Sequence, residues 1–320
     1  MTMDLNMVVD VGGTNTRVGL AQGVDVQPDT IRRYRNDDYP GLYPVLERYR
    51  ADVSAPAVKG VCTCLAGPVR DGVGALTNRD WSIDKAGLAH AANANHAAIL
   101  NDLQAQGHAV GSLPPSSLTQ IVAGPDMPQN AARLVVNVGT GFNAAVVLDT
   151  AHGTLVPPSE CGHANLPIRT QAQLRLCKFI ETAHGFPSVE DILSGRGLEQ
   201  AYAWLSHEAG DHDQLSSQQI MAAIADGSND RATQAGRVFV TILGTVAGNL
   251  SLIHLPFGGV YFVGGLARAF TPYLREFGMV DAFRDKGRFA GFMSNFGLHM
   301  VEDDYAALTG CATHLASAGA

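Results

Sequence analysis

The sequence predicts an α/β protein with two similar halves and a cleft between them. Each half begins with an apolar strand, a glycine-rich turn and a second apolar strand. These openings start at Met7 (NMVVDV, GGTNT, RVGLAQG) and at Leu134 (LVVNV, GTG, FNAAVV). Further strands and helical stretches follow each opening, as in layered α/β domains. The 320 residues are 46% hydrophobic and 16% charged, so the chain has enough apolar material for large cores.

Charge and cysteine content exclude several classes of function. The formal net charge is -8, which disfavours binding to nucleic acid or to an anionic membrane. Five cysteines without a C-x-x-C pair predict neither a disulfide framework nor a zinc site, and they favour a cytoplasmic location. The first residues carry no basic segment or cleavage site, so we expect no signal peptide.

One apolar segment has the length of a membrane span. No Asp, Glu, Lys or Arg occurs from Val238 to Ala267, but Pro256 interrupts the segment. Its first part, RVFVTILGTVAGNLSLIHL, also contains polar and small residues. Polar groups facing lipid are unfavourable, so we expect a buried, closely packed helix.

The first glycine loop, DVGGTNTR, predicts a phosphate-binding turn. Glycines allow positive φ and close approach to a ligand, and successive N–H groups can form a nest for phosphate oxygens. Thr14 and Asn15 add side-chain donors. Asp10, at the strand end, could hold a hydrated Mg²⁺. The alternative is a plain hairpin turn.

The second loop, GTG, could be either a dinucleotide turn or a second phosphate loop. Gly139, Gly141 and Ala144 fit G-x-G-x-x-A, and Glu160 follows about 20 residues later. A dinucleotide turn leads directly into a helix. FNAAVVLD instead has the β-branched residues of a strand. We therefore predict a phosphate loop and not an NAD site.

A third glycine pair, Gly264 and Gly265, lies between the strand GVYFV and a helical stretch. There a ribose or a flat ring could lie against the backbone. The alternative is an ordinary turn at a helix start.

These loops and the segments between them resemble the bacterial ATP-dependent glucokinases, in the sugar kinase branch of the actin–Hsp70–hexokinase superfamily. The resemblance rests on an ordered set of motifs from Val8 to about Leu315: DVGGTNTR, AGPV, TNRDW, ILNDLQA, GTG, ECGH, ILSGRGL, GGVYFVGG and FRDKGRF. It implies a two-lobed, actin-like (ribonuclease H-like) fold. The expected smaller domain comprises residues 1–112 plus 300–320, and the larger one residues 113–299.

The resemblance also implies roles for individual residues. The family's catalytic aspartate falls on Asp102, the expected general base, and Asn101 beside it would bind the sugar. Glu160, His163 and Glu190 match family positions that hold sugar hydroxyls. Taken singly, Asp102 could be a helix N-cap, Glu190 could favour the first turn of a helix at DIL, and His163 could be structural.

The expected ATP site comprises the glycine loops. The residues assigned to it are Asp10, Gly12, Gly13, Thr14, Asn15, Gly139, Thr140, Gly141, Gly264 and Gly265. The first two loops would bind the phosphates and the third pair the nucleoside. No direct protein ligand to a metal is expected, because Mg²⁺ would arrive with ATP and contact Asp10 at most through water.

Three departures from the family pattern lie around the expected sugar pocket. Asn143 replaces a glycine in G-T-G-L-G, and Cys161 replaces one in E-G-G-H. Ala164, Asn165 and Leu166 replace V-D-F or similar residues. We expect the Asn143 side chain to project near the phosphates or the sugar.

The function implied is phosphorylation of glucose at its 6-hydroxyl by ATP, the first step of glycolysis, by a cytoplasmic homodimer. The departures keep two alternatives open. One is a kinase for a related hexose; the other is a non-catalytic sugar or nucleotide sensor on the same fold. We have no physical account of FRDKGRF from the sequence alone.

Overall fold

A computed structural model describes residues 5–76, 79–128 and 130–317, and these form two compact units. The first unit contains the described residues up to Ser117, then Val147–Pro158, and the residues from Asp303 onward. The second contains Leu118–Val146 and Ser159–Glu302. Thr77 and Asn78 of the TNRDW motif lie outside the described residues. The expected domain boundaries stay a prediction.

The strands of the described residues run in the following order: β1 (Leu5–Val11), β2 (Asn15–Gln22), β3 (Asp25–Val26), β4 (Arg32–Arg35), β5 (Val58–Leu65), β6 (Val69–Arg70), β7 (Val73–Ala75), β8 (Ser82–Asp84), β9 (Ala94–Asn101), β10 (Leu118–Val122), β11 (Arg133–Val138), β12 (Phe142–Thr150), β13 (Gly153–Leu155), β14 (Val260–Val263) and β15 (Leu298–Val301).

The α-helices of the same residues are α1 (Leu42–Asp52), α2 (Lys85–Ala92), α3 (Asp102–Ala109), α4 (Gln171–His184), α5 (Gly195–Glu208), α6 (Ser217–Asp226), α7 (Asp230–His254), α8 (Gly265–Phe270), α9 (Met279–Arg284) and α10 (Ala306–Ser317).

The sheet of the first unit aligns the ends of three parallel strands. Its order is β3-β2-β1-β5-β9, with β4 on β2. Strands β1, β5 and β9 are parallel, and Val11, Leu65 and Asn101 are in register across them. Because neighbouring strands lie about 4.8 Å apart, the residues after β1 and after β9 leave the same sheet edge about 10 Å from each other.

Side chains alternate between the two faces of this sheet, since successive residues of a strand point in opposite directions. Met7 and Val9 join a core with α1 and α2, whereas Val8 joins a core with α3 and α10. Cys62, Cys64 and Cys311 are also buried in the second of these cores.

The second unit is built on strands in the order β10-β15-β14-β11-β12. Strand β14 is parallel to both β11 and β15. The core packs these strands against helices such as α5, α6 and α7. Within it, Phe239 of α7 and Phe270 of α8 stack with ring centroids 4.8 Å apart.

Helix α7 is the apolar segment noted in the sequence. Among the described residues it is the one helix long and apolar enough to cross a membrane, and 61% of its most apolar window is buried inside the protein. A side chain at Gly244 would meet the Met279 carbonyl oxygen at 2.3 Å, and one at Gly248 would meet that of Phe283 at 2.5 Å. Small residues therefore let α9 pack directly on α7, and the prediction of a buried, closely packed helix is confirmed.

The sequence predicts a helix over residues 188–209, and in the structure this helix begins later. SVEDILSGRGLEQAYAWLSHEA is helical only from Gly195. Before that point Asp191 accepts hydrogen bonds from the backbone N–H and the hydroxyl of Ser188, at 2.8 and 2.7 Å, which stabilises a turn. Ser194 is the N-cap of α5 and accepts a hydrogen bond from the Gly197 N–H at 3.0 Å. The suggestion that Glu190 lies in the first turn of a helix at DIL is therefore wrong.

Candidate active site

The first glycine loop is a rigid turn between β1 and β2. The Gly12 N–H donates to the Asn15 carbonyl at 3.0 Å. The buried Asn36 amide donates to the Gly12 carbonyl at 2.8 Å, and Thr16 donates to Asn36 at 2.8 Å. Gly13 and Thr14 stay exposed at the tip. Neither Gly12 nor Gly13 takes a positive φ, so that part of the expectation is wrong.

Two arginines lie against this loop, and the sequence analysis assigned neither of them. Arg79 Nε donates to the Gly13 carbonyl at 2.9 Å, and Arg17 Nη1 lies 3.2 Å from Asp10 Oδ2. Phosphates need positive charge nearby, and every residue assigned to the phosphates was neutral or acidic. The DVGGTNTR motif itself contains Arg17, so that cation could have been found from the sequence.

Asp10 is a partly buried carboxylate with partners on both oxygens. Arg17 contacts Oδ2, and the Cys64 thiol donates to Oδ1 at 3.6 Å. Burial raises the pKa of Asp10, although the positive charge of Arg17 lowers it. Because both oxygens are already in use, Asp10 suits contact with a hydrated cation better than direct ligation.

Asn101 and Asp102 stand at the end of β9 and the start of α3. Asn101 is the N-cap: its Oδ1 accepts from the Gln104 N–H at 2.6 Å, and Gln104 Oε1 accepts from the Asn101 N–H at 3.2 Å. Asp102 is the first helical residue, so the suggestion that Asp102 is the cap is wrong by one position. Its Oδ1 accepts from the Leu103 N–H at 2.8 Å.

The buried Cys64 thiol is hydrogen-bonded to Asp10, just before the first glycine loop. Hydrogen bonding with Cys311, burial, and the negative charges of Asp10 and Asp102 together raise the pKa of the Cys64 thiol. Both carboxylates therefore act on one buried thiol. This agrees with the strand register, which brings the residues after β1 and after β9 to one edge of the sheet.

The second glycine loop turns from β11 into β12, which is a strand, as predicted. The Gly139 N–H donates to the Gly141 carbonyl at 2.9 Å, and the Gly139 carbonyl accepts from the Gly195 N–H at the start of α5 at 3.0 Å. Thr140 is exposed. Since the N-terminus of a helix carries partial positive charge, α5 adds a field that favours an anion at this loop.

The third glycine pair packs against the same loop. Gly264 has φ +102°, and a side chain on it would meet the Val138 carbonyl oxygen at 2.4 Å. Val138 is the last residue of β11, directly before Gly139. Gly265 begins α8 and has open space around it. The second unit thus brings together five of the residues assigned to ATP.

Glu190 lies beneath the second loop. Its Oε2 accepts a hydrogen bond from the Phe142 N–H at 2.8 Å, and a side chain at Gly141 would meet the same oxygen at 2.6 Å. Arg196 Nη2 is 3.8 Å from Glu190 Oε1. Arg196 is another cation near the second glycine loop, and the sequence motifs do not predict a role for it.

The ECGH segment folds onto the start of β12. Glu160 and His163 are exposed, with His163 Nε2 4.0 Å from Glu160 Oε2. A side chain at Gly162 would meet the Phe142 carbonyl oxygen at 2.0 Å, and the Gly162 carbonyl accepts from the Glu190 N–H at 2.9 Å. The fold therefore brings the segment that carries Glu160 and His163 next to Glu190; their roles as sugar ligands, which the resemblance implies, stay a prediction.

The three departures from the family pattern have structural partners. Asn143 lies in β12, and its side chain turns to the segment Ser159–Cys161. In the third departure, the Ala164 carbonyl accepts from the Val189 N–H at 2.9 Å, Asn165 forms a β-bridge with Ser188, and Leu166 is buried. These three residues join the ECGH segment to residues 187–189, directly before Glu190.

Lys286 gives the FRDKGRF motif a structural role. Its ammonium donates to the Thr245 carbonyl at 3.0 Å and to Asn249 Oδ1 at 2.8 Å, both on α7. Burial lowers the pKa of Lys286, and the nearby Arg169 lowers it further. The motif anchors the end of α9 to α7.

Comparison with known proteins gives one consistent family. A family model described as Glucokinase matches residues 7–318. A glucokinase of Brucella suis is 31% identical over 95% of this chain and 89% of its own length, and one of Saccharophagus degradans is 28% identical over 97% of both. The crystal structure of a glucokinase from an Antarctic psychrotroph has a TM-score of 0.88 at 27% identity and covers 98% of both chains. The predicted mixed α/β fold of the actin-like ATPase class is confirmed.

Proposed function

The chain belongs to the glucokinase family, and on that premise we propose that it transfers the γ-phosphate of ATP to the 6-hydroxyl of glucose. The observation that carries this proposal is the placement of Asp102 beside Asn101 at the end of β9, on the sheet edge that also holds the first glycine loop. The proposed base and the proposed phosphate-binding turn thus follow strands of the same sheet.

Asp102 is the proposed general base. It takes the proton of the 6-hydroxyl as that oxygen attacks the γ-phosphorus. The bond from the γ-phosphorus to the β–γ bridging oxygen breaks, and its electron pair leaves with ADP. The products are glucose 6-phosphate, ADP and a proton. The hydrogen bond from the Leu103 N–H to Asp102 Oδ1 fixes the orientation of the carboxylate.

The phosphates are assigned to the two glycine loops. At the first loop, the exposed backbone at Gly13 and Thr14 would bind phosphate. At the second loop, Thr140 and the N-terminus of α5 would do so. Arg17, Arg79 and Arg196 supply the positive charge that phosphoryl transfer requires. Gly264 and Gly265 are assigned to the nucleoside.

Magnesium is proposed as part of the MgATP substrate. Among the described residues no group of three or more His, Cys, Asp or Glu is arranged to hold a metal ion. Asp10, with both oxygens already in use, would contact the hydrated ion through water. Mg²⁺ neutralises charge on the phosphates when it is bound.

The sugar is assigned to Asn101, Glu160, His163 and Glu190. The capping bond uses the Oδ1 of Asn101, so its NH₂ group is the part left to donate to a sugar oxygen. Glu190 keeps Oε1 for a hydroxyl while Oε2 holds the second loop. Carboxylate and amide groups are suited to binding sugar hydroxyls. We further propose a cytoplasmic location and a homodimeric state, as the family resemblance implies.

The test is ADP release from MgATP across a panel of glucose, mannose, fructose and N-acetylglucosamine. We expect glucose to give the highest kcat/KM. A clear preference for another hexose would show that this hexose, and not glucose, is the substrate. No stimulation by any of them, with tight sugar binding retained, would favour the sensor.

A further inference from the structure

Asn143 ties the start of β12 to the segment that carries Glu160. Its Oδ1 accepts from the backbone N–H of Cys161 at 3.2 Å and from that of Ala144 at 2.9 Å. Its amide donates to the Ser159 carbonyl. The two residues that flank Glu160 are therefore both hydrogen-bonded to one side chain.

This tie holds the start of residues 159–164, the sugar segment. Farther along the segment, the Glu190 N–H donates a hydrogen bond to the Gly162 carbonyl at 2.9 Å. The Val189 N–H donates one to the Ala164 carbonyl at the same distance. At the start of the segment, Ser159 Oγ accepts from the Cys161 N–H at 3.2 Å, but this bond lies within the segment. Asn143 thus anchors one end and residues 189–190 anchor the other.

Glu160 and His163 need such anchoring because their own side chains are not held by packing. Their side chains are 74% and 66% exposed. Their positions therefore depend on the backbone that carries them. The His163 N–H donates to the Glu160 carbonyl at 3.1 Å, so a shift of residue 160 moves residue 163 with it.

Cys161 completes the contact. Its Sγ lies 3.5 Å from Asn143 Oδ1 and 4.0 Å from the Ala144 carbonyl oxygen. Burial raises the pKa of this thiol, so it remains protonated and can donate. The two positions at which this chain replaces a glycine of the family pattern are therefore in contact, and neither side-chain interaction could exist with glycine at both.

We propose that Asn143 is a positioning residue for sugar binding, which fixes Glu160 and His163 by holding the backbone of residues 159–161, with Cys161 as its side-chain partner. This proposal rests on the proposed function, because it takes those two residues to be sugar ligands. It assigns Asn143 a role in sugar affinity and none in contacting the phosphates or the sugar.

Asn143→Ala removes the tie and leaves the rest of the segment intact. We expect the KM for glucose to rise about tenfold, as the loss of two or three hydrogen bonds allows, with the KM for ATP within twofold of the wild-type value. Cys161→Gly keeps the hydrogen bonds of Asn143 to the backbone of Ser159 and of residue 161, so its KM for glucose should rise less than threefold. A glucose KM within twofold of wild type in Asn143→Ala, or an equal rise in both KM values, would overturn the proposal.

Asn295→Ala is the matched control. The Asn295 amide also donates to a backbone carbonyl, that of Phe292 at 2.8 Å, in the same unit. We expect a comparable fall in Tm with both KM values unchanged. If the KM for glucose rises as much in this control as in Asn143→Ala, Asn143 contributes only to the stability of the fold, and the positioning role is overturned.

Hydrogen exchange gives a readout that does not need activity. Amide exchange across residues 159–163 should become at least about tenfold faster in Asn143→Ala and stay unchanged in Asn295→Ala. Unchanged exchange in Asn143→Ala would overturn the anchoring.

Calorimetry separates this proposal from the proposed function. A wild type that binds glucose without phosphorylating it refutes the kinase activity alone, and the Kd of Asn143→Ala for glucose then decides the positioning role. A wild type that does not bind glucose overturns both.

Discussion

Glu190 Oε2 accepts the backbone N–H of Phe142 at 2.8 Å, so a proposed sugar ligand also holds the second glycine loop. If the proposed assignments hold, this one carboxylate contributes to the binding of both glucose and ATP. Its other oxygen lies 3.8 Å from Arg196, a cation at the start of α5.

Replacement of Glu190 should consequently affect both substrates. Glu190→Ala removes the acceptor for the Phe142 N–H, and we expect the KM for glucose and the KM for ATP each to rise about tenfold. Glu190→Gln keeps a carbonyl oxygen for that N–H, so its KM for ATP should stay within about threefold while glucose binding weakens. Steady-state kinetics with each substrate varied separately measures this. A change confined to glucose in Glu190→Ala would contradict the double role.

Gly141→Ala should damage the second loop directly. The added methyl group would lie 2.6 Å from Glu190 Oε2, so either the loop or the carboxylate must move. We expect kcat/KM for ATP to fall about 10- to 100-fold. At Gly139 the nearest atom would be 3.9 Å away, so Gly139→Ala should lose less. Gly291→Ala, with nothing within 4 Å, controls for the substitution itself. Equal losses at Gly139 and Gly141 would argue against the steric cause.

The pair His108 and His314 predicts acid sensitivity. His314 Nδ1 and His108 Nε2 are 3.2 Å apart between α10 and α3. The pKa of His108 is lowered from 6.5 to about 4, mainly by burial and secondly by the charge of His314. The pKa of His314 is also lowered, mainly by burial and secondly by the charge of Lys85. The unfolded chain therefore binds more protons below about pH 6.5. The stabilisation is present above that pH and is lost as the pH falls toward 4.

The free energy of unfolding should fall by about 2–3 kcal/mol between pH 7 and pH 4.5 because of His108, and His314 should shift it in the same direction. Urea denaturation at several pH values measures it. His108→Leu should flatten the pH dependence, whereas replacement of the exposed His212 by Gln should leave it unchanged. An identical pH slope in wild type and His108→Leu would rule out this origin.

Lys286→Met should destabilise the second unit without slowing catalysis much. The methionine keeps most of the apolar stem but loses the hydrogen bonds to the Thr245 carbonyl and to Asn249. We expect a loss of about 1–3 kcal/mol in the free energy of unfolding, with kcat within about threefold of wild type. Thermal denaturation beside steady-state assays checks both. Unchanged stability would show that the FRDKGRF segment does not depend on this anchor.

Local patterns in the sequence predicted much of the frame. The β-branched residues after GTG predicted strand β12, and the small residues of Arg237–Leu255 predicted a buried helix. The start of α3 could also be predicted, because Asn101 and Gln104 have the spacing of a capping box. The alternative role of Asp102 as the N-cap is wrong by one residue. The late start of α5 depends on the Ser188–Asp191 bonds, which compete locally with the helix.

Contacts between distant segments could not be read from one sequence. The partner of Asn143 lies 18 residues away at Cys161, and the partner of Glu190 lies 48 residues away at Phe142. Lys286 reaches Thr245 across 41 residues. Each of these contacts exists only because strands and helices of the second unit pack in one particular way, which no local pattern specifies.

The most direct test of the account is the turnover of Asp102→Asn with MgATP and glucose. Asparagine keeps the size and hydrogen-bonding capacity of the side chain but cannot accept the hydroxyl proton. We expect a kcat at least about 100-fold below wild type, with glucose still bound at a similar Kd in calorimetry. A kcat within twofold of wild type would contradict the assignment of Asp102 as the general base.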